Sequence, residues 1–567
     1  MDDKTLKLVA GIAVAVMVAV VAATQWESIA TLVSSPEQSQ ETVATNTAPK
    51  TTGQPVATNA YKTIVHSLSE KEKSAGQLKF TPDSRPNAER IANGERLSLT
   101  FCATCHVRPA PDVFTNVHWS QTLPRMASWI GVQPPDEGLI NPTGFERVLE
   151  AGVFPGEPMM SVREWKDIVD YYIQTSPKTL PEPKRPSLSL ELELFEPVDV
   201  KAKFDATVMM VRVNNKDGGV WVMHETSRTL HRLGPNLQWL PNPIKLETPA
   251  ASIIYTKAGF VAPLIGSFTP SFVPQGQLVR LNGNQVEPLT GLLHRPTSVV
   301  AGDFNADGRE DLAVTEHGHV LGRAFWLEKT DAGYQRHKLL DLPGTLNFAT
   351  GHFNDDGIPD LVTLTGQARE AAHLLLSTGP GKFEHRMILP RHPAWGHSHI
   401  EVVDFNKDGH PDLLITNGDN GELNNYPPKH YNGVRLHLND GKNNFGEAAF
   451  FYPQYGTYRA LAADFDGDGD LDIATMAFFG RHDISPSTGF VFLRQDKSLE
   501  FSAHTLPATL GGRWLTMDAG DIDGDGDIDI ALGAFNEGPG QKSFPDKFNQ
   551  LWIKNPVPVL ILRNRTK

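Results

Sequence analysis

The pattern of apolar and polar positions changes character along the chain. Residues 8–23 form an unbroken apolar run behind Lys4 and Lys7. Residues 34–75 are rich in Thr, Ser, Gln, Ala and Pro and keep no period, a composition that cannot bury a core and predicts a flexible tether. Helical spacing then takes over. Ile91, Leu97 and Leu99, with Gly94 for close packing, predict a helix over 87–101. Trp165, Ile168, Val169, Tyr172 and Ile173 predict another, opened by Ser161 and Glu164 at capping-box spacing and stopped by Pro177 and Pro181. Beyond residue 195 the apolar runs shorten to strand length, as at 208–213, 220–223, 251–255, 298–301, 312–314, 473–475 and 557–562.

The run at 8–23 is short for a membrane-spanning helix of about 17–25 residues and long for a signal-peptide core of about 7–15. Trp26 and the apolar character of 28–33 favour an uncleaved anchor, with the lysines inside and the bulk of the chain exported. Cleavage near Val21-Ala22-Ala23, releasing a secreted protein, is the alternative. The expected location is therefore the cytoplasmic (inner) membrane, single-pass, with the bulk in the periplasm.

Between the short strands one loop recurs: DFNADGRED from Asp303, HFNDDGIPD from His352, DFNKDGHPD from Asp404, DFDGDGDLD from Asp464 and DIDGDGDID from Asp521. A repeat of roughly 50 residues with strands on both sides of each loop predicts propeller blades. Oxygens at loop positions 1, 3, 5 and 9 can converge on one hard cation, and the glycine after position 5 permits the turn. No glutamate follows at position 12, where Val314, Ile415, Thr475 and Leu532 read as strand, so a helix–loop–helix site is rejected. The expected calcium ligands are Asp303, Asn305, Asp307 and Asp311; Asp404, Asn406, Asp408 and Asp412; Asp464, Asp466, Asp468 and Asp472; and Asp521, Asp523, Asp525 and Asp529. His352 replaces the first aspartate of the second repeat, which leaves a weaker site of Asn354, Asp356 and Asp360. About four or five ions follow. A single Asp-Gly loop can also be a turn with no ion. Residues 195–292 carry strands without the loop and fit two further blades, giving seven four-stranded blades, with 557–562 completing the last sheet. These repeats resemble the FG-GAP/VCBS family of calcium-binding propeller blades.

Cys102 and Cys105 are the only cysteines, and they stand in CATCH with His106. CxxCH spacing suits covalent haem: each thiol adds to a vinyl group and the histidine ligates iron on its proximal side. The motif, its flanking helices and the aromatic last helix resemble a class I cytochrome c over about 100 residues. One haem c is expected. Trp119, Leu123 and Met126 match a ligand-bearing helix of such proteins, which makes Met126 the favoured distal ligand. Met159 and Met160 before the last helix are the alternatives, with His118 or an open site behind them. Methionine is also a good core filler. The chain as a whole looks like bacterial VCBS-repeat proteins with a fused cytochrome c domain. The expected architecture is multidomain: an anchor at 1–33, a disordered linker at 34–75, a small all-α cytochrome c domain at 76–190 and an all-β propeller at 191–567.

The formal charge of −14 argues against nucleic-acid binding. At the propeller end away from the Asp loops, Arg295, His317, His319, His397, His399, Tyr458, Arg459, Arg513 and Trp514 form a cationic, histidine-rich set. It reads as a site for an anionic or other small ligand, a transition-metal site, a docking face for a redox partner, or solvated loop residues. Three functions remain. The first is an electron-transfer protein whose propeller is a docking platform. The second is an oxidoreductase whose propeller passes electrons to the haem. The third is an adhesion or assembly subunit. No dinucleotide fingerprint and no catalytic triad favours a particular enzyme chemistry.

Overall fold

The short apolar runs pair with their sequence neighbours into seven sheets of a β-propeller. The structure is a computed structural model that describes residues 83–133, 143–269, 271–421, 427–482, 485–538 and 546–567. The anchor and linker expected at 1–75 lie outside the described residues. Among the described residues no helix is long and apolar enough to cross a membrane.

Blade one runs from Val208–Val213 to Ile244–Lys245 and blade two from Ile254–Thr256 to Gln285–Pro288. These are the two blades expected without an Asp loop. Blades three to six span 296–340, 345–388, 397–453 and 457–504. Blade seven contains Trp514–Gly520, Asp529–Ala534 and Val559–Asn564, and its outermost strand is Phe195–Asp199, antiparallel to the last. The strand at 195–199 thus closes the ring on blade seven instead of opening blade one, and the two ends of the propeller hold each other. Leu188–Ser189 adds a fifth strand to blade six, parallel to Glu500–His504.

The second strands show why the apolar runs are continuous rather than alternating. Asp311–Glu316, Asp360–Thr365, Asp412–Asn417, Asp472–Ala477 and Asp529–Ala534 are buried along their whole length, covered by the neighbouring blade on each face. Fourth strands such as Lys382–Ile388 are largely open to solvent. The innermost strands of six blades carry a register shift near their start, for example between His397 and His399 and between Thr457 and Arg459. Such bulges re-aim side chains, here at the mouth of the central channel.

The helical part consists of α1 (Asn87–Leu97), α2 (Asn116–Trp129), α3 (Phe145–Glu150) and α4 (Val162–Thr175); α5 (Asp546–Lys554) belongs to blade seven. Ser161 and Glu164 form the capping box read from the sequence. The first helix ends at Leu97 and continues as one wider turn, Ser98–Cys102, into the cysteine motif. At the crossing of α1 and α4 a side chain on Gly94 would lie 2.0 Å from the Asp167 carbonyl oxygen, so only glycine permits this approach. Arg85 grips the buried Asp167 with two bonds of 2.7 and 2.8 Å, and Asn93 donates a third at 2.7 Å.

The helical part of the expected 76–190 domain packs directly on the propeller. Leu97, Trp119, Leu123, Trp165, Ile168 and Tyr172 share one apolar cluster with Ala394 and Tyr431 of the propeller. Phe145 and Phe154 pack with Phe272, Val320 and Leu321 of blades two and three. Both patches involve loops that follow second strands or link consecutive blades. The helices therefore sit on the end of the propeller opposite the Asp loops, and helices and propeller belong to one compact unit.

Candidate functional site

Three places bear on chemistry: the cysteine motif, the Asp loops and the propeller end beneath the helices.

At the cysteine motif, Cys102 is half-buried and joins the apolar cluster, Cys105 is exposed and His106 is half-buried. Burial pushes the Cys102 thiol up to about 11. His106 Nδ1 lies 3.1 Å from the Val107 carbonyl, a contact that commits this nitrogen and leaves Nε2 for a ligand. The following loop is pinned: the Tyr172 hydroxyl donates to the Pro109 carbonyl at 2.9 Å, and Trp119 Nε1 donates to the Pro111 carbonyl at 2.8 Å. Met126 and Met160 lie in the same cluster as Cys102, whereas Met159 does not. His118 Nδ1 is taken by Thr115 Oγ1 at 2.7 Å, at the start of α2. Two thiols, a histidine with one free nitrogen and a thioether about one apolar cluster are a donor set that fits haem c. The sequence reading missed what faces this motif. Burial lowers the His106 pKa, and the charge of Arg369 in blade four acts in the same direction. His392, between blades four and five, is held down to about 3 by burial, then by Lys429, Arg391, His397 and His106. Trp395 and Tyr431 stack at 5.4 Å beside it, and the Tyr431 hydroxyl donates to the Val113 carbonyl of the helical part at 3.2 Å. Aromatic residues in a blade-linking loop were the available signal.

In the Asp loops the ligand positions divide into two kinds. Carboxylate oxygens of Asp464, Asp466 and Asp468 lie within 4.8 Å of one another, as do those of Asp521, Asp523 and Asp525. Burial and neighbouring carboxylates raise Asp466 and Asp523, as expected of acids gathered where a cation would relieve them. Asp303 and Asp404 each accept the amides four and five residues on at 2.8–3.0 Å, where Asp464 and Asp521 accept those three and five residues on at 2.7–3.1 Å. Position 4 is left-handed in these four loops, at Ala306, Lys407, Gly467 and Gly524, while Asp355 of the second repeat is not. Asp307 also takes two bonds from Arg309, at 3.0 and 2.9 Å, so Asn305 and Asp303 are the freer groups in that loop.

Position 9 does something else. Asp311 accepts the amides of Phe304 and Lys329, Asp360 those of Phe353 and Ser377, Asp412 those of Phe405 and Asn439, and Asp529 those of Ile522 and Asn564, all at 2.6–3.1 Å. Asp472 accepts the amide of Gln495 at 2.9 Å. These carboxylates, at most 2 % exposed, staple the loop to the third strand. Burial pushes Asp311 and Asp529 up to about 6 and Asp472 up to about 7. Position 9 thus staples the backbone, a role that leaves each carboxylate lone pairs for a cation, and Asp472 Oδ2 accepts no hydrogen bond at all among the described residues.

The predicted cationic face resolves into three groups. Arg295, His317, His319 and Tyr458 gather at the mouth with Asp419, close enough to influence one another's charge. The Arg295 guanidinium donates to the Ser267 and Phe268 carbonyls at 3.2 and 3.0 Å. Burial and the Arg295 charge hold His319 near 4. Arg295 and His319 both have left-handed backbone, φ 49° and 53°, a conformation that costs energy outside glycine. His399 and Arg459 instead line the central channel with Arg212, Glu401 and Asp518, where Arg459 and Arg212 share Asp518 Oδ1 at 3.4 and 3.3 Å. Burial pushes Glu401 up to about 7. His397 is committed to Glu370, 3.1 Å from its Nδ1. Arg513 and Trp514 are fully buried, Arg513 donating to the Phe478 and Glu537 carbonyls and Trp514 Nε1 to the Thr509 carbonyl. Among the described residues, no group of three or more His, Cys, Asp or Glu side chains gathers at this end within reach of one metal ion.

The FG-GAP repeat profile matches residues 295–334 and the FG-GAP-like repeat profile matches 352–415, covering blade three and the stretch from blade four into blade five. A search of curated protein sequences finds no match. Among solved structures, virginiamycin B lyase from Staphylococcus aureus is 12 % identical with a TM-score of 0.41, covering 65 % of this chain and 99 % of its own. A streptogramin B lyase structure gives 12 %, 0.41, 65 % and 98 %, and BBS1N in complex with ARL6DN gives 11 %, 0.39, 65 % and 96 %. At these values no activity is carried over from them. The chain is thus a seven-bladed propeller with FG-GAP repeats.

Proposed function

We propose that this chain is a membrane-anchored, extracytoplasmic c-type cytochrome that transfers electrons, with a calcium-stabilised propeller as its platform. The carrying observation is the sole cysteine pair in CxxCH, set at the end of α1 with Cys102 and Met126 in one apolar cluster and His106 Nδ1 already engaged. Cys102 and Cys105 hold the haem by thioethers, His106 is the proximal ligand and Met126 the distal one, with Met160 next in line. Bound haem supplies a one-electron centre. Trp165, Tyr172 and Leu123 exclude water from its surroundings, and Arg108 and Tyr172 fix the loop after the motif. Residues 1–33 anchor the chain in the inner membrane, or are removed on secretion. Partners are redox proteins, and nucleic acid is not one of them.

Calcium is assigned to the Asp464 and Asp521 loops first, then to the Asp303 and Asp404 loops. The second repeat, with Asn354, Asp356 and Asp360, is the weakest. Positions 1, 3 and 5 supply the surface side-chain oxygens, with the position 9 carboxylates Asp311, Asp412, Asp472 and Asp529 beneath them.

A second reading is favoured by one feature: the helices cover the propeller end that carries Arg295, His317, His319 and Tyr458. There the propeller itself would oxidise a small, anionic substrate and pass electrons inward to the haem, by way of the Trp395–Tyr431 pair. A redox titration of the purified full chain, followed by visible absorption, separates the readings. A single reversible low-spin transition that M126L alters supports the carrier. Reduction of the haem by a small organic acid without a protein donor, abolished by R295Q, supports the oxidoreductase. Absence of any haem absorption overturns both.

A further inference from the structure

On the outer side of blade five lies a pocket of about 430 Å³, lined by Arg391, Trp395, Arg435, His437, Glu447 and Phe451. It is separate from the propeller mouth and from the Asp loops. Arg435 is wedged between two rings, 4.5 Å from the Trp395 centroid and 3.9 Å from that of Phe451. Its Nη1 donates to Asn417 Oδ1 at 2.5 Å. Arg391 lies 5.0 Å from the centroid of the same Trp395 ring and donates to the Pro390 carbonyl at 3.2 Å. Among the described residues, neither guanidinium reaches a carboxylate at ion-pair distance. Burial and the like charge of Arg391 push Arg435 down to about 9, with only the exposed Glu447 opposing. Two guanidiniums crowded into an aromatic setting without a bonded anion repel each other, and an oxyanion between them removes that repulsion.

The third polar group narrows the ligand. His437 is 2 % exposed, and its Nδ1 lies 2.9 Å from the Gly446 carbonyl, which makes Nδ1 the protonated nitrogen. Burial holds the ring neutral, down to about 4. The other ring nitrogen is then an acceptor and calls for a donor on the ligand.

We infer that this pocket binds a small oxyanion that also carries a hydroxyl, such as a monoprotonated phosphate group, through Arg391, Arg435 and His437. Trp395, which forms one wall, stacks on Tyr431 and so joins the pocket to the cluster that contains Cys102 and Met126. The site does not depend on haem or on calcium.

The test is calorimetric titration of the full chain with inorganic phosphate near neutral pH, without free calcium. Saturable binding at one site is expected. Sulfate, which offers no hydroxyl at that pH, should bind about fivefold or more weakly, and R391Q should weaken phosphate by about tenfold. E447Q, at an exposed position where folding is safe, should tighten phosphate binding, because it removes the opposing charge. Absence of saturable phosphate binding, equal affinity for sulfate, unchanged binding by R391Q, or weaker binding by E447Q would each overturn the assignment.

Discussion

The clearest division of labour at the residue scale lies within one nine-residue loop. Positions 1, 3 and 5 gather oxygens near the surface, while position 9 satisfies two buried backbone amides that would otherwise have no partner. Substituting Asp311 by alanine leaves the amides of Phe304 and Lys329 unpaired and should destabilise the propeller by about 3 kcal/mol, calcium or not. Denaturant unfolding with and without chelator checks this. Substituting Asp464 by asparagine should instead cost stability only when calcium is present.

Buried histidines set the pH response. His373, 1 % exposed and bonded to Thr365 Oγ1 and His385 Nε2 at 2.8 and 2.9 Å, is held down to about 3 by burial. His437 is held down to about 4. Their folded pKa values lie below the unfolded value near 6.5, so between about pH 6.5 and 4 the unfolded chain binds more protons. Each such histidine therefore lowers stability as pH drops through that window, by up to about 1.4 kcal/mol per pH unit, against the opposite contribution of Asp311, Asp472, Asp529 and Glu401, whose raised values make the folded state bind protons there. Unfolding midpoints measured across the window for the parent chain and H373Q should differ in slope, the variant losing less stability as pH drops. A profile that H373Q leaves unchanged would contradict the burial of that ring.

Two elements decide how the helical part is held. The first is the α1–α4 crossing at Gly94, where any side chain meets the Asp167 carbonyl. G94A should force the helices apart, cost about 3 kcal/mol and lower the yield of haem-bearing protein, read from the ratio of haem to protein absorbance. The second is the contact of blade five with the segment before α2, where Tyr431 donates to Val113 and Ala394 carbonyls, both at 3.2 Å. The capping box, the Asp loops and the second strands were legible in the sequence because each rests on local spacing. The Tyr431 contact was not, since it joins residues 318 apart and depends on how the propeller closes. For the same reason the face residues were only partly legible. Arg295, His317 and His319 reach the mouth as their loop positions imply, but the sequence cannot tell that Arg513 turns inward onto carbonyls of blades six and seven. Nor does spacing distinguish a ligand at position 9 from a staple, since an aspartate serves both.

For the whole molecule, seven blades close through the pairing of 195–199 with the last strand, and the helices cover one end while the acidic loops occupy the other. The calcium ions proposed for the loops would bind the folded ring alone, so their stabilisation would sum over sites. Removing calcium with a chelator should lower the thermal midpoint by about 10 °C, and adding calcium should restore it. An unchanged midpoint would remove calcium from the account.

Covalent haem at the cysteine motif is tested most directly by intact-mass measurement. The full chain, expressed in a host able to attach haem outside the cytoplasm, should carry the mass of one haem that survives denaturation, and C102A/C105A should lack it. Recovery of the unsubstituted chain with both thiols free would contradict the account.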